Sequence, residues 1–351
     1  MRLTLIRPSD MHVHFRDGAM LRNVVPETAR QFARAVVMPN VPSIETGADA
    51  LRYAETIRAA AAGLPFTPLM TIKLTHRTTP ETIRAAQGAV VAAKLYPAGA
   101  TTASHDGISD PEDPGLLAVF EAMQETGMIL CIHGEAPDAF ILDREATYLN
   151  VVRKIVGRFP GLKVVLEHIT TAAAVDYVEN EAPANVAASI TLHHLTTTLD
   201  DVLGRGGIRP HYFCYPVPKR PEDRRALLRA ATGPGTGRFF FGSDTAPHLR
   251  GAKESACGCA GVYSAPVLLP VLLDVFLRAC RGADETGSPA HDQAIRRLLC
   301  FASIDGPNFY GLPIDESDTI SLVDETWTVP EEMGGVVPFM AGETIPWKVL
   351  D

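Results

Sequence analysis

The sequence predicts an α/β protein folded as a (β/α)8 barrel with a small C-terminal extension, and three observations carry that prediction. Eight short, apolar, β-branched runs recur along the 351 residues; Ala-rich stretches with helical patterning separate them; and metal-ligand residue types recur where the runs end. Near-continuous hydrophobic strands alternating with helices point to a parallel sheet covered on both faces. Eight such repeats in one chain fit a closed barrel better than an open doubly wound sheet. The first run is "MHVHF" (11–15), followed by "ARAVVMP" (33–39), "TPLMTIKL" (67–74) and "AVVAAKLYP" (89–97). The second half supplies "GMILCIH" (127–133), "LKVVLEH" (162–168), "NVAASITLHH" (185–194) and "RFFFGSD" (238–244). Helical patterning fills 47–63, 114–127, 147–160 and 171–183, and the chain after about residue 250 reads as a long loop, further helices and a Pro/Gly-punctuated tail. With no internal repeat and no low-complexity linker, the whole of 1–351 is expected to form one barrel domain.

Composition narrows the function. A hydrophobic content of 46% supports a large core, and a net charge of −9 spread along the chain offers no electrostatic footprint for nucleic acid. The N-terminal apolar run is too short for a signal peptide, and charges or prolines break every later run below membrane-spanning length, so a cytoplasmic address is expected. Six cysteines in a chain of this size make no disulfide framework, and Cys257-Gly-Cys259 lacks the spacing of a zinc knuckle. No Gly-x-Gly-x-x-Gly turn follows the first run and no phosphate-binding loop is present, which argues against nucleotide cofactors. A soluble protein acting on small molecules fits best.

The strand ends are the informative feature. His12 and His14, Lys94, His133, His168 and Asp244 all close a predicted strand, and in a barrel those ends converge on one mouth. Side chains alternate along a strand, so His12, His14 and Arg16 are expected on one face, with the two imidazoles able to share a metal at about 2.0–2.1 Å per bond. Arg16 would meet a substrate anion with its planar fork. Lys94 is a poor ligand as an ammonium. It is either an ion-pair or substrate-carboxylate partner, or a neutral amine that has taken up carbon dioxide to form a carbamate able to bridge two metals ~3.5–4 Å apart. Asp244, after three phenylalanines, is a buried carboxylate in need of a partner, and it is also placed to carry a proton.

These residues resemble the amidohydrolase superfamily and, within it, the dihydroorotase family of the shorter bacterial type. The likeness runs through "MHVHFRD" (11–17), "MPN" (38–40), "AKLYPAGATT" (93–102), "IHGE" (132–135), "LEHIT" (166–170) and "GIRPHYFCYPVPKR" (207–220). It continues in "GSDTAPH" (242–248), "KESACGCAG" (253–261), "GPNFYGLP" (306–313) and "VPFMAGETIPW" (337–347). His-x-His alone indicates only the superfamily; its combination with the other segments is specific.

The resemblance implies a metal-dependent hydrolase barrel with two zinc ions per subunit, bridged by carboxylated Lys94 and a hydroxide. His12 and His14 are then ligands of the first metal, His133 and His168 of the second, and Asp244 a ligand of the first that doubles as proton shuttle. Arg16, Asn40 and His248 would grip a substrate carboxylate, Ala260 would offer backbone contacts to the ring, and Thr101 and Thr102 would lie in a mobile loop over it. In relatives a backbone N–H near Pro218 also contacts the ring. Proline has none, so either another residue donates or that contact is lost. His193 and His194 receive no ligand role and are assigned to support behind the ligands, with packing as the alternative.

The implied reaction is the reversible hydrolysis of L-dihydroorotate to N-carbamoyl-L-aspartate, the ring-closing step of pyrimidine synthesis when run backwards, in a homodimer. Three alternatives compete: another cyclic-amide hydrolase of hydantoinase or allantoinase type, a non-catalytic scaffold, and a mononuclear deaminase. The bidentate carboxylate clamp of Arg16 argues against the first, the full set of six ligand positions against the second, and Lys94, which would lack a purpose, against the third.

Overall fold

The strand that opens the barrel is not the first strand of the chain. The structure, a computed structural model, describes residues 1–204, 206–280 and 287–350. Its strands in chain order are β1 (Arg2–Ile6), β2 (Ser9–Val13), β3 (Arg34–Val37), β4 (Thr67–Lys73), β5 (Ala92–Leu95), β6 (Ile129–Ile132) and β7 (Val164–Leu166). They continue with β8 (Val186–Ile190), β9 (Phe239–Phe241), β10 (Thr319–Val323), β11 (Trp327–Thr328), β12 (Thr344–Ile345) and β13 (Lys348–Val349). Seven of the eight apolar runs contain one strand each of a single parallel sheet in the order β2 to β9, and the first run overlaps β2, which begins two residues before it at Ser9. Backbone hydrogen bonds from Asp244 N–H to the His12 carbonyl (2.8 Å) and from His14 N–H to the Thr245 carbonyl (3.0 Å) join the chain after β9 to the end of β2. The sheet is thus brought round on itself into the expected (β/α)8 barrel.

Packing divides by strand face. Met11, Val36, Met38, Ala92, Ile129, Cys131, Val165, Ala187 and Phe240 form an inner cluster. A larger cluster combines strand residues such as Ile72, Leu130 and Phe241 with the buried faces of the surrounding helices. This two-sided burial is why the strands read as continuous apolar runs. Phe309 and Tyr310, in the helix Asp305–Tyr310, pack against the inner cluster, with the Tyr310 hydroxyl 3.2 Å from Cys131 Sγ. Because the metal-ligand residues lie at the other end of the strands, this helix plugs the end opposite the mouth.

Helices Gly47–Ala60 and Pro114–Thr126 occupy the first two predicted intervals, and Arg144–Arg158 begins three residues before the third. The fourth holds Ala172–Asp176 followed by a π-helical turn, Tyr177–Glu181. Helices Gly18–Ala29, Pro80–Ala86 and Pro221–Thr232 fill the remaining crossovers.

Two features differ from the sequence reading. The N-terminal run forms β1, which pairs antiparallel with β10, and β10 pairs in turn with β13. The C-terminal extension is therefore stitched to the N-terminus as a three-stranded sheet outside the barrel, with β11 and β12 forming a second small ribbon. The other difference lies in β2. Its pairing with β3 shifts register between Asp10 and Val13, leaving one extra residue as a bulge. Met11 packs inside the barrel while His12 still reaches the mouth, and the strand ends at Val13. His14 and Arg16 therefore lie beyond the strand, and their placement does not come from strand alternation alone.

Candidate metal centre and substrate cavity

Hydrogen bonds fix the tautomers of the two histidines at the end of β2. His12 Nδ1 lies 2.7 Å from a Glu167 carboxylate oxygen and His14 Nδ1 lies 2.7 Å from Asn40 Oδ1. Carboxylate and amide oxygens only accept, so both Nδ1 atoms carry the proton and both Nε2 atoms present lone pairs. Those lone pairs face each other at 3.3 Å, and Asp244 Oδ1 lies 3.4 Å from the first and 3.2 Å from the second. Three electron-rich atoms so placed repel one another unless a cation sits among them. Ligands around one tetrahedral zinc at about 2.0–2.1 Å stand roughly 3.3–3.4 Å apart, which is the spacing found.

A second pair repeats the arrangement. His133 Nε2 donates to Glu135 at 3.0 Å, which leaves its Nδ1 as a lone pair 3.3 Å from His168 Nε2. The carboxylates of Glu135 and Glu167 are buried behind these histidines and set their donor atoms. Lys94, the last residue but one of β5, lies in the same mouth, 0% exposed, with no hydrogen-bond partner for Nζ among the described residues. Burial pulls its pKa below the ordinary lysine value. An orphaned buried amine among four histidines and a carboxylate suits a lysine that is carboxylated in service, because a carbamate would bring two donor oxygens where an ammonium brings none.

The backbone is bent to make this site. Arg16, His168 and Asp244 adopt φ of 63°, 41° and 43°, in the left-handed region that non-glycine residues avoid. Asp10, also buried, helps to hold the bend: its carboxylate accepts from the backbone N–H groups of His12 (3.1 Å) and Ser243 (2.8 Å) and from the Ser243 hydroxyl (2.6 Å).

Beside the ligands opens a small cavity lined by His14, Arg16, Asn40, Tyr96, Thr101, Thr102, His133 and His168, together with Tyr215, Asp244, Ala246, Ala260 and Gly261. Arg16 Nε donates to the Pro247 carbonyl at 3.0 Å, Nη2 lies 3.2 Å from His248 Nε2, and Nη1 is buried without a hydrogen-bond partner among the described residues. That free N–H edge and the clustered Asn40 and His248 suit an anionic guest. Asn40 Nδ2 also reaches the Thr102 carbonyl at 3.3 Å, and the Thr102 hydroxyl reaches the Ala260 carbonyl at 3.4 Å, so the 97–107 segment covers the cavity.

Pro218 is buried and, like His248, stands outside the cavity lining, whereas Tyr215, three residues before Pro218, lines it. The Tyr215 backbone N–H has no hydrogen-bond partner among the described residues and can serve as the donor that proline lacks. His194 supports this segment from behind: its Nε2 donates to the Pro216 carbonyl at 3.0 Å and its Nδ1 meets the Thr191 hydroxyl at 2.9 Å. His193, His194 and Cys214 also cluster as potential ligands, but Cys214 Sγ is directed to the same Pro216 carbonyl at 3.3 Å, so two of the three are already engaged. Cys257 and Cys259 flank Gly258, φ 70°, in the turn before Ala260, with their sulfurs 4.0 Å apart.

Residues 4–315 match the model of the amidohydrolase family. A dihydroorotase of Aromatoleum aromaticum is 47% identical over 360 residues, covering 99% of each chain. The chain belongs to the dihydroorotase family. Among solved structures, a dihydroorotase from Campylobacter jejuni matches with a TM-score of 0.88 and 37% identity, covering 99% of this chain and 97% of that one. A Saccharomyces cerevisiae dihydroorotase solved with 5-fluoroorotic acid gives 0.87 and 33%, covering 99% and 98%. An Arthrobacter aurescens L-hydantoinase, at 16% identity and a TM-score of 0.75, with 99% of this chain and 83% of that one covered, shares the fold alone. Dihydroorotases are metal-dependent hydrolases of a cyclic amide, and the donor set at this mouth fits that dependence.

Proposed function

We propose that the cavity hydrolyses L-dihydroorotate to N-carbamoyl-L-aspartate and, in the biosynthetic direction, closes that ring with loss of water. His12, His14 and Asp244 would hold one zinc ion, His133 and His168 a second, and carboxylated Lys94 both. When bound, the metals supply Lewis acidity and bring the pKa of water to about 7, which makes water nucleophilic at neutral pH. The observation that carries this reading is the convergence of six buried donors, Lys94 unpartnered among them, beside a cavity with an unpaired arginine edge.

The chain's own groups do the rest. Arg16 offers a planar fork to the substrate carboxylate, with Asn40 and His248 beside it, and orients the ring. Tyr215 N–H and the Ala260 backbone contact the ring edge, and Thr101 and Thr102 exclude water above it. Asp244 takes the proton of the attacking water and delivers it to the departing ring nitrogen; for ring closure it starts protonated. The Saccharomyces cerevisiae relative was solved with 5-fluoroorotic acid, a pyrimidine carboxylic acid, which supports reading the Arg16 edge as a carboxylate clamp. The whole chain, 1–351, is read as one domain organised around this mouth and acting as a cytoplasmic homodimer.

The deciding experiment compares kcat/KM for dihydroorotate, a hydantoin and allantoin on the zinc-loaded protein. Dihydroorotate is expected to lead by at least ~100-fold, because an uncharged ring leaves the buried Arg16 edge unpaired. A preference for either neutral ring would overturn the substrate assignment.

A further inference from the structure

We propose that Lys73 is a positioning residue for this reaction: its buried ammonium latches the 97–107 loop closed over the cavity through the Ala103 carbonyl and Asp106. The proposal rests on the cavity being the dihydroorotate site.

Lys73 ends β4, in register with Lys94 on β5, and is 1% exposed. A buried ammonium must find acceptors or a counter-charge. Lys73 finds both in one place: Nζ donates to the Ala103 carbonyl at 2.8 Å and to the Asp106 carboxylate. Neither partner belongs to the barrel strands or the crossover helices. A lysine serving only the barrel would be tied to its neighbouring strands; this one spends its side-chain bonds on the loop.

The loop transmits that hold to the cavity. Thr101 N–H donates to Ser104 Oγ at 2.9 Å, the Ser104 hydroxyl donates to the Thr101 carbonyl at 2.6 Å, and Gly99 N–H donates to the Ser104 carbonyl at 3.0 Å. The turn is therefore one cross-tied piece, and Ala103 sits within it at φ 53°, a left-handed conformation that its surroundings must enforce. On the cavity side the hydrogen bonds that hold the piece, among the described residues, are those of Thr102 with Asn40 and Ala260 at 3.3 and 3.4 Å. Long neutral bonds of that kind are weak, and a charge-assisted pair is the stronger tether. Arg77 does not compete for Asp106: it lies 4.0 Å away and pairs with Glu45 at 2.6 Å. Hydrogen bonding to Lys73 draws the Asp106 pKa below its ordinary value, so the carboxylate is charged at neutral pH.

The test uses the zinc-loaded, full-length protein with Lys73→Met, which keeps the buried volume, Asp106→Asn at a more accessible position, and the double variant. Loosening the latch removes binding shared by ground and transition states, so in Lys73→Met KM for dihydroorotate should rise about tenfold with kcat within about twofold. Metal content should be unchanged. Backbone amides of 99–108 should exchange hydrogen at least ~tenfold faster without substrate, while those of β4 and β5 keep wild-type rates. Asp106→Asn should show the same pattern more weakly, and the double variant should be no worse than Lys73→Met. Wild-type KM and loop exchange in Lys73→Met, additive losses in the double variant, or faster exchange spread through β4 and β5 would each overturn the proposal. Loop exchange is read without turnover, so a protein inactive on dihydroorotate would fail the functional reading while the latch stands or falls on its own data.

Discussion

At the residue scale, what matters is which nitrogen of each imidazole is left bare. Glu167, Asn40 and Glu135 each claim one N–H, so His12, His14 and His133 aim lone pairs, not protons, into the mouth. The same economy governs Arg16. Its Nε is spent on Pro247, which fixes the plane of the guanidinium and leaves Nη1 for a guest. Arg16→Lys keeps the charge but loses both the anchored plane and the paired donors. It is expected to lower kcat/KM for dihydroorotate by roughly 100-fold, mostly through KM, with metal content unchanged. Steady-state kinetics beside zinc analysis checks this, and near-native turnover would refute the two-pronged clamp.

At the element scale, each barrel strand announces itself because burial on both faces leaves nothing polar to interrupt it. That is why β2 to β9 were legible as apolar runs and why the polar residues at and just past their ends stood out as candidate ligands. β1 and β10 were not, because outside the barrel their side chains are only partly buried and leave no continuous apolar run, and Arg2 pairs with Val323 across nearly the whole chain. Glu135 and Glu167 were passed over because a glutamate beside a histidine normally reads as solvated; only the fold reveals that both are buried. Tyr215 went unnoticed for another reason: several residues lie close to Pro218 in the chain, and sequence alone does not say which of them lines the cavity. The closure of the sheet also rests on a glycine the sequence does not flag. A Cβ at Gly242 would stand 2.9 Å from His12 Cβ and 3.1 Å from Ser189 Cβ, both on barrel strands that cannot give way cheaply. Gly242→Ala is therefore expected to cost about 1–3 kcal/mol of stability by chemical denaturation and to weaken metal binding at His12 as the strands part. Unchanged stability and metal affinity would show that the closure has slack.

At the scale of the whole molecule, the two ends of the barrel have different tasks. The plugged end, with Phe240 against Phe309 and Tyr310, stabilises the fold through apolar contact and needs no ligand. The mouth gathers like-signed lone pairs, an unpartnered amine and three residues at positive φ, all of which oppose folding until cations arrive. Metal binding is then folding free energy at that end, since the unfolded chain holds no comparable site. Stripping zinc with a chelator should lower Tm by on the order of 5–10 °C, given the several kcal/mol that tight ligands contribute and the entropy of unfolding for a chain of this size. The transition should stay cooperative, because the plug and the outer helices do not depend on the metal. Calorimetry with and without zinc restored makes the comparison. A Tm that stays put after the metal has demonstrably left would mean that the crowded donors relieve their repulsion by another route, and the electrostatic case for this mouth as a binuclear centre would lose its footing.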